Sequence, residues 1–192
     1  MEWTIPIQIF DITKTVVNPP SQGSKLFSPL SYADSDASFT SLSILLPLLP
    51  VKSYDPVSGR LQISLQGAAV ASKLQGFQDM LINTVYNNQK AWFPSEKRSD
   101  KDTIRHGFQP FVENGSLYLY CPSSPGSASN EIHNYVNNKW SRGIISPSLF
   151  TSGKMIRLAI KIHGLSFHQP PLSKAWTGKF RLQHRILAII TG

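Results

Sequence analysis

Along most of this chain apolar and polar residues alternate with a period of two, and only one long stretch changes to a period near 3.6. In EWTIPIQIFDI (2–12), Trp3, Ile5, Ile7 and Ile9 share one parity, as on one side of an extended strand. FTSLSILLPLLPV (39–51) is an apolar strand stopped by Pro47 and Pro50. YDPVSGRLQISL (54–65) places turn chemistry at Asp55-Pro56 and Ser58-Gly59 before Leu61, Ile63 and Leu65 on one face. Together these two stretches predict a pair of antiparallel strands around a loop. Further on, FQPFV leads into Glu113-Asn114-Gly115, a tight-turn signal, and then into SLYLYCP. There Leu117, Leu119 and Cys121 take one face, and Tyr118 and Tyr120 the other.

The change of period falls at 68–92. Val70, Leu74, Phe77, Leu81 and Val85 recur at steps of three and four, the apolar stripe of an amphipathic helix that ends before Pro94. Residues 131–143 read as either a short helix or a strand. KMIRLAIKIHGLSFH (154–168) alternates again, with Ile156, Leu158, Ile160 and Ile162 facing one way and Arg157, Lys161 and His163 the other. The last stretch repeats the theme: Phe180, Leu182 and Ile186 oppose Lys179, Arg181 and Arg185. Residues 18–38 read as a turn-rich loop or arm, and 94–107 and 123–130 as flexible loops. The whole predicts one domain, 1–192, mainly β. Seven to nine strands form a closed or half-closed antiparallel barrel, and one helix (about 68–92) packs on it; a β-sandwich is the competing architecture.

Composition narrows the class. At 192 residues and 41% hydrophobic, the chain is long enough to bury a real core. Its single cysteine, Cys121, excludes an internal disulfide and fits a reducing, intracellular compartment. No signal peptide is visible, and the most apolar stretch, 42–51, is too short to span a bilayer.

Charge changes the picture more. The formal net charge is +8, and it is unevenly placed. The first 96 residues carry 6 Lys/Arg against 7 Asp/Glu; the last 96 carry 13 against 4, and no acid follows Glu131. Such a field attracts polyanions. If the aliphatic faces of the last two strands fill the core, Arg157, Lys161, His163, Lys179, Arg181 and Arg185 line the outside together. A cationic face follows a phosphate backbone, and neighbouring aromatics stack on unpaired bases. Tyr118 and Tyr120 have the parity for this; Trp92, Phe93, Trp140 and Trp176 are further candidates. The plainer alternative is that the tryptophans close the core and the cations are solvated.

Catalytic patterns are weak. Asp34 and Asp36 fall in the 18–38 loop, and Asp100 and Asp102 in a run of mixed charge. Neither pair has the strand-end setting of a two-metal site. His163 and His168 lack partners at zinc-ligand spacing, and no phosphate-binding Gly-rich loop or nucleophile elbow is present. The sequence therefore points to a non-enzymatic protein that needs neither metal nor cofactor.

The order LSILLPLLPVKSYDPVSGRLQISL, LQGFQDMLINTVYNNQKAWF, FQPFVENGSLYLYCP, GKMIRLAIKIHGLSF and WTGKFRLQHRILAI resembles the OB-fold single-stranded DNA-binding proteins of short-tailed phages and large eukaryotic DNA viruses. The likeness covers roughly 40–190 and rests on layout. It implies an OB-like barrel that coats exposed strands in replication, recombination or repair. It favours DNA over RNA and replication proteins as partners, with a homo-oligomer allowed. A viral source would place the chain in a host nucleus or cytoplasm. Position by position it puts Trp92, Tyr118, Tyr120, Arg157, Lys161, Lys179, Arg181 and Arg185 at the groove. The phage members end in an acidic tail and this sequence ends AIITG, so recruitment through a tail is not expected. The rival reading is a β-sandwich assembly protein of a virion, whose basic face meets packaged nucleic acid or a partner subunit.

Overall fold

The computed structural model describes residues 4–34, 37–122, 132–136, 139–143 and 146–191. The first part holds eight strands: β1 (Ile5–Pro6), β2 (Thr15–Val17), β3 (Ser21–Gln22), β4 (Leu26–Asp34), β5 (Ala37–Phe39), β6 (Leu42–Leu45), β7 (Leu49–Asp55) and β8 (Arg60–Ser64). Two helices follow, α1 (Val70–Trp92) and α2 (Lys101–Gly107). The rest is β9 (Phe108–Gln109), β10 (Val112–Glu113), β11 (Ser116–Tyr120), β12 (Ile132–Val136), β13 (Lys139–Gly143), β14 (Met155–Phe167) and β15 (Phe180–Thr191). The chain is mainly β, as its periodicity predicts, and its strands join in one strongly curled half-barrel sheet.

The hub is β14. It is antiparallel to β15 along nearly its whole length, from Ile156 opposite Thr191 to Phe167 opposite Phe180. Its other edge is shared in turn by β7, β6 and β4. Register shifts between Ala159 and Ile160 and between Ile162 and Gly164 break the ladder, and bulges of this kind bend a strand and increase its twist. The sheet path runs β10-β11-β8-β7-β14-β15, and the curl brings β11 up to β15. At that seam the Tyr120 N–H donates to His184 Nε2 at 2.8 Å, so a side chain stands where a backbone carbonyl would complete a rung. The ring must be neutral to accept. Burial pushes its pKa down from 6.5 to about 4, and the nearby His163 and Arg181 act in the same direction.

Helix α1 buries the expected stripe, with Leu74, Phe77, Leu81 and Val85 all at 2% exposure or less. It also buries two amides. Gln78 donates to the Val112 carbonyl, and its Oε1 accepts from the Phe111 and Val112 N–H groups, each at 3.0 Å. Gln89 exchanges two hydrogen bonds with the backbone of Ser99, at 2.8 and 3.0 Å. These contacts fasten the chain after the helix to the helix itself.

Several segments differ from the expectation. The 18–38 loop or arm contains β4, whose Ser28, Leu30 and Tyr32 are buried in alternation and which pairs with β14, β2, β3 and β5. The inward serine hid that alternation; its hydroxyl donates to the Asn18 carbonyl. The crossing is so tight that a Cβ on Gly164 would lie 2.1 Å from the Ser28 carbonyl oxygen. The 94–107 loop contains α2, because Asp100 accepts from the Thr103 N–H at 2.7 Å and caps its first turn. Residues 2–12 do not make one long strand. Beyond β1 the chain turns, and Ile9 is 73% exposed while Ile7 and Phe10 go inward. The described residues of 131–143 take the strand reading, with β12 antiparallel to β13. Trp3, Asp36 and the 123–130 loop lie outside the described residues.

Two outcomes follow for stability. Gln78→Leu should cost roughly 2–5 kcal/mol in urea unfolding, because two buried N–H groups lose their acceptor at once. Lowering the pH should also destabilise the fold. The unfolded His184 takes a proton near pH 6.5 and the folded one only near 4. Its contribution is therefore intact above 6.5, declines between 6.5 and 4, and is spent below, a total of roughly 3 kcal/mol. His184→Gln should lose that part of the decline in melts compared at pH 7, 5 and 4.

Candidate nucleic-acid interface

Alternation on β15 sends Phe180, Leu182 and Ile186 into the core and leaves Arg181 and Arg185 exposed. On β14 the inward residues are Ile156, Leu158, Ile160 and Ile162, while Arg157 and Lys161 are half-buried on the outside. Cross-strand register sets Lys161 beside Arg185 and Ser166 beside Arg181. Like charges placed opposite one another in a sheet repel. His163 is the extra residue of the second register shift. Lys179 is exposed just before β15, and its carbonyl is fixed by the His168 N–H at 2.8 Å and the Trp176 indole N–H at 2.9 Å.

The curl adds a second strip. On β11, Leu117 and Leu119 are buried, Tyr118 is half-buried and Tyr120 is 56% exposed, as the parity predicts. The Arg60 guanidinium on β8 lies over the Tyr118 ring, 4.8 Å from its centroid. Gln62 on the same strand donates to the Tyr118 hydroxyl at 3.2 Å and to Ser116 at 3.0 Å. Lys52 of β7 also reaches Ser116. Arg60, Gln62 and Lys52 were missed from sequence. Their own alternation was visible, but the partner strand that makes it useful was not. Because β11 adjoins β15, Tyr118 and Tyr120 stand on the strand beside the one that carries Arg181 and Arg185.

Trp176 is the candidate the structure moves. It is 9% exposed, its ring lies 4.3 Å from Phe93 and 5.5 Å from Phe167, and its N–H is satisfied inside. It closes the core under the 168–179 connection and has little surface to offer a base; Phe93, 7% exposed, is buried with it. Trp92 is half-buried at the end of α1, edge-on to Phe93 and Phe167. Trp140 on β13 is 58% exposed and tilted 5.0 Å from Tyr135.

Three carboxylates outside this face have structural occupations. Asp34 pairs with Lys14 and Asp79 with Arg105. Asp55 holds the β7–β8 turn by accepting from the Ser58 hydroxyl and the Val57 N–H, which keeps its carboxyl below the usual range. Burial pushes the Cys121 thiol up to about 12, far from a reactive thiolate. Among the described residues no group of three or more His, Cys, Asp or Glu side chains could hold a metal ion, and no helix is long and apolar enough to cross a membrane. No family model, curated protein or solved structure matches the chain.

Two aromatic substitutions should therefore part company. Trp176→Ala is expected to cost roughly 3–5 kcal/mol of stability. Tyr120→Ala should stay within about 0.5 kcal/mol of the parent in the same unfolding assay.

Proposed function

We propose that this protein binds and coats single-stranded nucleic acid, DNA in preference to RNA, without reading sequence. The observation that carries the reading is the juxtaposition on the curled sheet. Arg181 and Arg185 are exposed on β15, and the strand it meets across the curl, β11, carries Tyr118 and Tyr120, with Arg60 stacked on Tyr118. The cations neutralise phosphates, and the rings supply a sequence-tolerant platform worth roughly 1–3 kcal/mol per stacked base.

The strand order supports the finer, OB-like form of the fold. Taking β7, β8, β11, β14 and β15 as first to fifth, the path runs first, second, third, and the fifth lies between the third and the fourth before the fourth returns to the first. That order matches the five-stranded, partly open Greek-key barrel whose second and third strands and loops after the first and fourth bind oligonucleotides in OB-folds. Here the second and third strands carry Arg60, Gln62, Tyr118 and Tyr120. The loop after the fourth carries His168, Lys174 and Lys179.

Anisotropy of a labelled oligothymidine of about 30 nucleotides, titrated beside a duplex of equal length over a salt series, tests the proposal. Single-strand binding should dominate, with a log–log salt slope of roughly 0.7 per phosphate neutralised. Combined Lys179→Glu and Arg181→Glu substitution should abolish it while the melting temperature holds. Equal or absent binding to the two probes overturns the reading. Large closed particles in light scattering would then favour the assembly role.

A further inference from the structure

Where β14 gives way to β15 the surface is not flat. The β3–β4 hairpin, the end of α2 with β9, the 168–173 stretch and the start of β15 enclose a cleft of about 760 Å³, within the range of small-ligand pockets. Five cationic or ionisable nitrogen-bearing side chains line it: Lys25, His106, His168, Lys179 and Arg181. Ser24, Ser166 and Ser173 add hydroxyls, and among the described residues no Asp or Glu lines it.

Its walls are fixed. The Gln22 and Gln169 side-chain amides exchange hydrogen bonds at 3.1 and 3.3 Å and tie the hairpin to the β14–β15 connection. Gln169 also donates to the Lys174 carbonyl at 2.6 Å. Gly107 meets Gly178 so closely that a Cβ there would lie 2.0 Å from the Gly178 carbonyl oxygen.

Both imidazoles are oriented as well. His106 Nδ1 lies 2.7 Å from the Asp102 carbonyl and so must donate to it. His168 Nδ1 lies 3.0 Å from Thr177 Oγ1, whose one proton goes to the His168 carbonyl, so this Nδ1 donates too. Each ring thus keeps Nε2 for a further partner.

A carboxylate offers two acceptor oxygens in one plane. Donors supplied from four separate segments, with three hydroxyls among them, suit a tetrahedral oxyanion with acceptors on every side. We propose that this cleft is a phosphate-binding site, with Lys25 on the hairpin wall as a clamp opposite Lys179 and Arg181. The proposal rests on the function proposed above for the source of the phosphate, a backbone phosphodiester of the strand, but not for its chemistry. A free phosphate monoester is the other source with the same chemistry.

The full-length chain with Lys25→Glu tests it, with Lys90→Glu on the far end of α1 as the control for net charge. The probes are the labelled oligothymidine, read by anisotropy, and deoxythymidine 5′-monophosphate, read by calorimetry. Melting curves check that both variants fold. Lys25 is exposed in the bend between β3 and β4, so its reversal should leave the fold intact. The expected result is a loss of about tenfold or more in oligothymidine affinity, and a salt slope lower by roughly 0.7, for Lys25→Glu beyond Lys90→Glu. Suppose instead the parent ignores oligothymidine, yet binds the monophosphate and loses it on Lys25→Glu. The cleft is then a monoester site: the inference stands, and the single-strand reading falls. If Lys25→Glu matches Lys90→Glu on both probes, or the parent binds neither, the inference is overturned.

Discussion

The fold depends on the double allegiance of β14. A strand in mid-sheet has two edges to satisfy and two faces to commit. This one pairs with β15 along one edge, and with β7, β6 and β4 in succession along the other. Slipping its register by one residue would turn Ile156, Leu158, Ile160 and Ile162 to the outside and draw Arg157 and Lys161 into an apolar core. Burying unpaired charge costs far more than the slipped ladder could recover. The same alternation therefore secures the core and holds the cationic face outward. The candidate interface is the unavoidable reverse side of the packing.

Much of this was legible in the sequence, because it follows from parity. The outward cations of β14 and β15, the tyrosines of β11 and the apolar stripe of α1 all lie where their spacing puts them. Partnership between distant segments was not legible. Nothing in residues 26–34 announces that they will pair with β14 residues more than a hundred positions later, and the inward Ser28 masks the alternation that would have marked a strand. The short α2 hides in a run of mixed charge, where a capping Asp100 weighs less in a sequence reading than Ser95, Ser99 and Gly107 do as loop signals. Trp176 shows the same limit. An isolated tryptophan between Ala175 and Thr177 has no periodicity to read, and its burial is decided by Phe93, Phe167 and Phe180, which arrive from three other elements.

Polar burial is the second theme. Gln78 and Gln89 lie on the inner side of α1, where a periodicity rule would want leucine. Each does what leucine cannot: it supplies donor and acceptor to backbone outside its own helix. The Gln78 amide satisfies Phe111 and Val112 just before the β10–β11 turn, and so helps to set the strand that carries Tyr118 and Tyr120. A side-chain amide thus links the helix to the strand of the candidate interface.

The crossing of β4 over β14 has a consequence for how this sequence can vary. At position 164 any side chain larger than hydrogen would collide with the backbone of Ser28 and Pro29, which no change of rotamer can relieve. The N-terminal strands are therefore joined to the rest through a site that tolerates a single amino acid. A codon change there would be read as a fault in the N-terminal quarter of the chain, far away in sequence. A lineage that lost those strands would, conversely, free the position to drift.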